Sequence, residues 1–344
     1  MEQIRDEDHL KDVPLPHQYF DLMGGTSTGG IIAIMLGRLR MPVDACIRAY
    51  TALAKEAFVP KHPYLPTLPG HPKGQFFATN LENAIKKVIK EQRGECSEHC
   101  KNKDGNSESC SHADMPFRDI DCTKTAVLAV TKVNVEAAPT LFKTYDTSTT
   151  FRDCTIWEVA RATSAATSFF KSIKCGRDEI EFIDAAFGHN NPCEILIKEA
   201  RRVFPDATKF QILSIGTGMG KVIDIKDSRK SILRALKEMT TSSKHVADRV
   251  ADAYAVDEDY FRFNVDRGLE DVTLAEWDEK STISGHTHNY LEKEGDRMLK
   301  CAQMLSKHRK NATVEKGSTP QAETDSKETA VSVQVDRVQT AFEK

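Results

Sequence analysis

The 344-residue chain lacks several features that would place it in a class at once. It has no long apolar run. The longest, Ile31–Leu36, falls far short of the roughly 18 residues of a membrane-spanning helix, so any membrane contact is expected to be peripheral. It has no excess of positive charge: 48 Lys and Arg stand against 51 Asp and Glu, and a net charge of −3 leaves no electrostatic case for a nucleic-acid binder. It shows no internal repeat, which argues against solenoids and propellers. Its nine cysteines are odd in number and scattered, which is not a disulfide framework. The polar N-terminus MEQIRDEDHLKDVP is not a signal peptide, and together these point to a reduced, cytoplasmic chain. Residues 1–18 contain no glycine.

What is present suits a globular protein. Hydrophobic residues make up 40% and charged residues 29%, enough to bury a core without staples. Strand-like runs (Tyr19–Met23, Ala126–Val135, Thr140–Tyr145, Glu179–Ile183, Phe210–Ile215) alternate with helical ones (Thr28–Arg40, Val43–Phe58, Asn80–Gln92, Cys154–Ala166, Ile195–Val203, Lys230–Tyr254, Tyr290–Leu305). That alternation predicts an α/β layer architecture over residues 1–305. Residues 93–119 read as a polar insertion. Residues 306–344, dominated by Ser, Thr, Lys and Glu, read as a disordered tail.

Gly25-Thr26-Ser27-Thr28-Gly29 fits G-x-S-x-G, and it stands between a strand and a buried helix. Gly25 and Gly29 permit a sharp turn that lifts the Ser27 hydroxyl clear of the backbone. The helix start at Thr28 offers N–H groups to a developing oxyanion. The competing reading is a glycine-rich turn whose serine merely caps the helix. A nucleophilic serine needs a base. With only 26 residues ahead of Ser27, the strands of an α/β-hydrolase do not fit. Asp184, at the end of the apolar run Ile180–Ile183 and followed by small residues, is the candidate base, against the reading that it simply turns the strand end.

The combination resembles the patatin-like phospholipases, particularly their fungal branch. The resemblance rests on YFDLMGGTSTGGIIAIMLGRLRM at 19–41, WEVARATSAATSFF at 157–170, FIDAAFGHNNP at 182–192 and ILSIGTG at 212–218, with HTHNYL at 286–291 a weaker extension. It implies a three-layer α/β/α sandwich with a mostly parallel central sheet. It also implies a Ser–Asp dyad, Ser27 as nucleophile and Asp184 as base, that hydrolyses lipid esters at a membrane or droplet surface with no metal or cofactor. Two departures stand out. The family's glycine-rich D-G-G-G-x-R oxyanion loop precedes the serine strand. Its absence from residues 1–18 implies that the first strand and loop are missing, with a gap left in the sheet. The family's Asp-Gly-Gly or Asp-Gly-Ala is here Asp184-Ala185-Ala186, and a left-handed residue 185 would strain an alanine. Both departures favour the rival reading, a patatin-fold lipid-binding or interaction protein with impaired catalysis.

Other signals are read as structural. Cys96, His99, Cys100, Cys110 and His112 match no established zinc spacing and suit a surface loop. Gly216–Lys221 fits neither phosphate-loop pattern and reads as a turn. His189, His286 and His288 read as turn, surface or helix-start residues. Arg161 is expected to be structural through ion pairing, and Ser164 and Ser168 to cap or pack. The proline-rich segment 59–75, with Phe58, Tyr64, Leu65, Leu68, Phe76 and Phe77 in or beside it, is expected to pack over the core rather than to serve as a lipid-contacting lid.

Overall fold

The computed structural model describes residues 1–59, 76–92, 111–145, 148–167, 169–218, 243–254, 259–265, 268–269, 279–317 and 327–335. The strands are β1 (Leu22–Thr26), β2 (Lys124–Thr131), β3 (Thr140–Lys143), β4 (Ile173–Cys175), β5 (Ile180–Asp184), β6 (Ala207–Ile215), β7 (Tyr260–Phe263) and β8 (Lys327–Val335). They form one open sheet in the order β4-β5-β2-β1-β8-β6-β7, with β3 paired to β2. The run β2-β1-β8-β6-β7 is parallel, while β3 and β5 on β2, and β4 on β5, are antiparallel.

Helices cover both faces, as a sheet buried on both sides requires. The helices of the first layer are α2 (Thr28–Ala33), α3 (Val43–Ala57), α4 (Ala78–Gln92) and α5 (Ile156–Thr163). They share a core with Val127 and Ala129, which point to one face of β2. Alternation along the strand turns Ala126, Leu128 and Val130 to the other face, against α7 (Cys193–Val203) and Val250 of α8 (243–253). Between β5 and α7 lies the short α6 (Ala186–His189). A third cluster joins α1 (Glu2–Glu7) to α10 (Gly295–Gly317) over Phe20, Met23 and Phe261, with α9 (Lys280–Lys293) beside it. This is the three-layer α/β/α arrangement. Local chemistry sets several boundaries. Thr155 and Glu158 form a reciprocal capping box at the start of α5. Pro42 precedes α3, whose buried Cys46, Tyr50, Leu53, Ala54 and Ala57 follow helical spacing.

Four expectations change. The tail at 306–344 is not wholly disordered: α10 runs to Gly317 and β8 occupies 327–335. Overall polarity masks the alternating Val331, Val333 and Val335, a β-strand pattern within a Ser/Thr-rich segment. The strand position beside β1 is not left as a gap. There β8 pairs with β1 on one side (Leu22 with Val331, Gly24 with Val333) and with β6 on the other. The run Ala126–Val135 is strand only to Thr131, because Asn134 and Ala137 donate backbone hydrogen bonds that form turns over 131–137. The helix from Thr28 widens into a π turn over Ile34–Arg38 instead of continuing as α to Arg40. In the polar insertion, residues 93–110 lie outside the described residues. Its end packs inward: Phe117 is buried, and Arg38 donates to the carbonyls of Pro116 and Phe117.

Candidate active site

Ser27 follows the last residue of β1 and precedes α2, at the carboxyl edge of the parallel strands. Its backbone lies at φ 58° and ψ −130°, in a region that costs a non-glycine residue about 1–3 kcal/mol. The surroundings hold it there. A Cβ on Gly25 would meet the backbone of Gly29 at 2.4 Å, so only glycine lets the strand and helix approach this closely. The Ser27 N–H donates to Thr163 Oγ1 at 2.8 Å, and Thr163 Oγ1 donates to the Leu128 carbonyl at 2.7 Å. Thr26 Oγ1 donates to the His189 carbonyl at 3.0 Å, tying the elbow to the segment beyond Asp184.

The Ser27 hydroxyl donates to Asp184 Oδ2 at 2.5 Å. Asp184 ends β5, which is separated from β1 by β2. In register Asp184 pairs with Ala129, one residue past the partner of Thr26. A small residue at position 129 leaves room for serine and aspartate to meet across the intervening strand. Two backbone bonds fix the aspartate. Its N–H donates to the Ala165 carbonyl at 3.2 Å, and its Oδ1 accepts from the Ala186 N–H at 2.8 Å. Asp184 is fully buried and Ser27 is 5% exposed. The two residues singled out in the sequence are thus brought into hydrogen-bond contact within a desolvated site, where charge development is felt most strongly.

Ala185 sits at φ −74° and ψ −5°. This is right-handed backbone that any residue adopts, so the departure from Asp-Gly carries no strain here. Thr28 is the first residue of α2, and its Oγ1 is buried with no hydrogen-bond partner among the described residues. Gly29 is buried in the first turn. Thr163 is the residue that sequence reading missed. It lies in the quoted WEVARATSAA block, but its role depends on α5 crossing β2 beside Ser27, which no local pattern reveals.

A family model described as Patatin-like phospholipase matches residues 14–197. That range contains Ser27, Thr163 and Asp184. The chain belongs to the patatin-like phospholipase family. It is similar to calcium-independent phospholipase A2-gamma of Mus musculus, with 27% identity over 307 residues, covering 85% of this chain and 37% of the mouse protein. From Arabidopsis thaliana it is similar to Phospholipase A I, with 26% identity over 250 residues covering 59% of this chain and 18% of that protein, and to Patatin-like protein 2, with 27% identity over 231 residues covering 59% and 51%. The chain spans little more than a third of the mouse relative's length.

The remaining sequence candidates take the following places where they are described. Arg161 makes no ion pair among the described residues. It is buried, its Nη2 donates to the Lys171 carbonyl at 2.9 Å, and desolvation lowers its pKa to about 10. Ser164 donates to the carbonyl of Ala160, one turn back. His189 lies in α6, where burial lowers its pKa despite a bond to the Ala137 carbonyl. His286 and His288 lie on α9. Gly216 donates to the Phe263 carbonyl, and the Gly218 N–H donates to Asn264 Oδ1. Phe58 and Phe76 pack edge to face at 5.1 Å, beside Phe169 and Phe170. Tyr64, Leu65, Leu68, Ser168, Lys221 and the cysteines and histidine at Cys96, His99, Cys100 and Cys110 lie outside the described residues. Among the described residues no three His, Cys, Asp or Glu side chains converge as a metal site, and no helix is long and apolar enough to cross a membrane.

Proposed function

We propose that the protein is a lipid acyl hydrolase that cleaves carboxylic ester bonds of glycerophospholipids or acylglycerols through a Ser27–Asp184 dyad. The observation that carries this reading is the 2.5 Å hydrogen bond from the Ser27 hydroxyl to a buried carboxylate, made from a strained strand-to-helix elbow. Asp184 takes the Ser27 proton as Oγ attacks the ester carbonyl. The tetrahedral intermediate places its negative oxygen toward the start of α2, where the Thr28 N–H, and the Thr28 hydroxyl that has no partner among the described residues, are suited to donate. Collapse breaks the ester C–O bond, and the leaving alkoxide takes the proton from Asp184. Water then attacks the acyl-enzyme and gives a proton to Asp184, and as the acyl C–O bond breaks Asp184 returns that proton to the Ser27 oxygen, releasing the fatty acid and the free dyad.

Family membership and the phospholipase names of the relatives support the lipid class of substrate. The rival reading, a non-catalytic lipid-binding module, loses one support because Ala185 is unstrained. The test is release of free fatty acid from phosphatidylcholine vesicles, read by mass spectrometry. The dyad reading requires release by the wild-type chain and none by Ser27→Ala. Vesicle binding with no release by a folded wild-type chain would favour the rival.

A further inference from the structure

Parallel strands place their carboxyl ends on one side, so the edge at which Ser27 opens can be followed across the sheet. Thr26 pairs with Leu128, and β2 runs three residues further before turning at Thr131. Ser27 lies one residue past Thr26, so the turn at Thr131 stands about 7 Å beyond the level of the nucleophile, with the tip joining β2 to β3 beyond it. Two valines project from that tip. Val133 is 90% exposed, the most exposed large apolar side chain among the described residues, and Val135 is 47% exposed. The tip is a built feature. The Asn134 N–H bonds the Thr131 carbonyl, the Ala137 N–H bonds the Asn134 carbonyl, and the Lys132 N–H bonds the Glu181 carbonyl. The segment beyond Asp184 is in turn joined to the elbow, because the His189 carbonyl accepts from Thr26. Phe77 is 47% exposed next to Phe76, whose N–H bonds the Phe169 carbonyl in the segment that passes Asp184.

We infer that the β2–β3 tip, with Val133 and Val135 at its apex, inserts into the interface of a zwitterionic phospholipid bilayer and so sets the Ser27 edge against the lipid surface. The inference rests on the proposed function only for its choice of lipid as occupant. Isolated exposed valines need no explanation, but a paired, rigidly turned display beyond a lipid-ester site does. Charge selects among lipids. Lys132 pairs with Glu181, and in the adjoining β4–β5 turn Lys174 pairs with Glu179 and Arg177 with Asp178, while Glu136 adds a negative charge at the tip. With no net positive charge at this rim, attachment depends on apolar burial rather than on anionic headgroups.

The experiment uses the full chain carrying Ser27→Ala, so that binding is read without turnover. Val133→Trp is titrated with phosphatidylcholine vesicles and with vesicles containing added phosphatidylserine. The expected result is a blue shift of the fluorescence added by the new indole on both, little changed by salt. Val133→Ser/Val135→Ser should lower the vesicle partition coefficient about tenfold or more. In the catalytic background, the same pair should lower hydrolysis of vesicle lipid while leaving turnover of a water-soluble short-chain ester unchanged. No shift with either vesicle, binding seen only on anionic vesicles and abolished by salt, or unchanged partition of the double-serine variant would each overturn the inference. Vesicle binding with no esterase activity in the folded chain that keeps Ser27 would instead count against the proposed function.

Discussion

Thr163→Val is the perturbation that most sharply separates positioning from chemistry at this site. The substitution keeps shape and volume but removes a hydroxyl that is fully buried, accepts from the Ser27 N–H and donates to the Leu128 carbonyl. A buried donor left without its acceptor costs about 1–3 kcal/mol. At about 2 °C per kcal/mol for a domain of this size, the midpoint should fall by roughly 2–6 °C. The larger effect falls on rate. Ser27 holds φ 58° only because its neighbours over-determine it, and the bond to Thr163 is one of those constraints. Relaxation that moves Oγ by about 1 Å from its aligned position costs on the order of 100-fold in turnover. Thr163→Ser restores both hydrogen bonds and should recover most of the turnover, a rescue that a purely packing role would not give. Thermal melting and turnover of a short-chain p-nitrophenyl ester measure both quantities on the same samples. Thr163→Val with wild-type midpoint and turnover would refute the reasoning.

Three further outcomes follow from the same structure. Cys46, Cys122, Cys154, Cys175, Cys193 and Cys301 are buried and form no disulfide among the described residues, and desolvation raises the thiols of Cys46, Cys154 and Cys301 to about 12. These six should react with Ellman's reagent only after denaturation, as located by mass spectrometry of the labelled chain. For Glu199, burial acts to raise the carboxyl, but bonds from Arg202 and Tyr145 and the charge of Lys143 outweigh it and hold the pKa below the usual range. Its contribution is therefore present above the ordinary glutamate pKa and is lost as pH falls through the depressed one. Glu199→Gln should be roughly 1 kcal/mol less stable than wild type at pH 7 and converge with it in acid, as read by denaturant titration across pH. Removal of residues 318–344 deletes β8 and strips β1 and β6 of a shared partner. That chain should lose cooperative melting and associate on gel filtration, whereas an unchanged midpoint would show that β8 does not hold β1.

The part of the fold that depends on local pattern is legible without coordinates. The strand–glycine–serine–helix succession around Ser27 is a short-range signal, and α3 follows its apolar spacing residue by residue. Pairing Ser27 with Asp184 needs the family resemblance, because the two are brought together only by β5 lying across β2 from β1. Thr163 is not legible for the same reason. Composition hides β8, since nine residues of strand pattern are outvoted by a polar tail, and strand order depends on tertiary pairing. The end of β2 at Thr131 is masked because Val133 and Val135 continue the alternation that marks a strand, while turn bonds through Asn134 take the backbone out of the ladder. Those two valines are the same ones the structure leaves at the tip.

The central claim is that Ser27 is a nucleophile activated by Asp184. Rate-resolved labelling by a fluorophosphonate probe, with the modified peptide identified by mass spectrometry, tests it most directly in wild type, Ser27→Ala and Asp184→Asn. The account predicts modification of Ser27 in the wild type, none in Ser27→Ala, and a rate reduced at least 100-fold in folded Asp184→Asn, on the order of what general-base catalysis contributes. Labelling of Asp184→Asn at the wild-type rate, or of a serine other than Ser27, would contradict it.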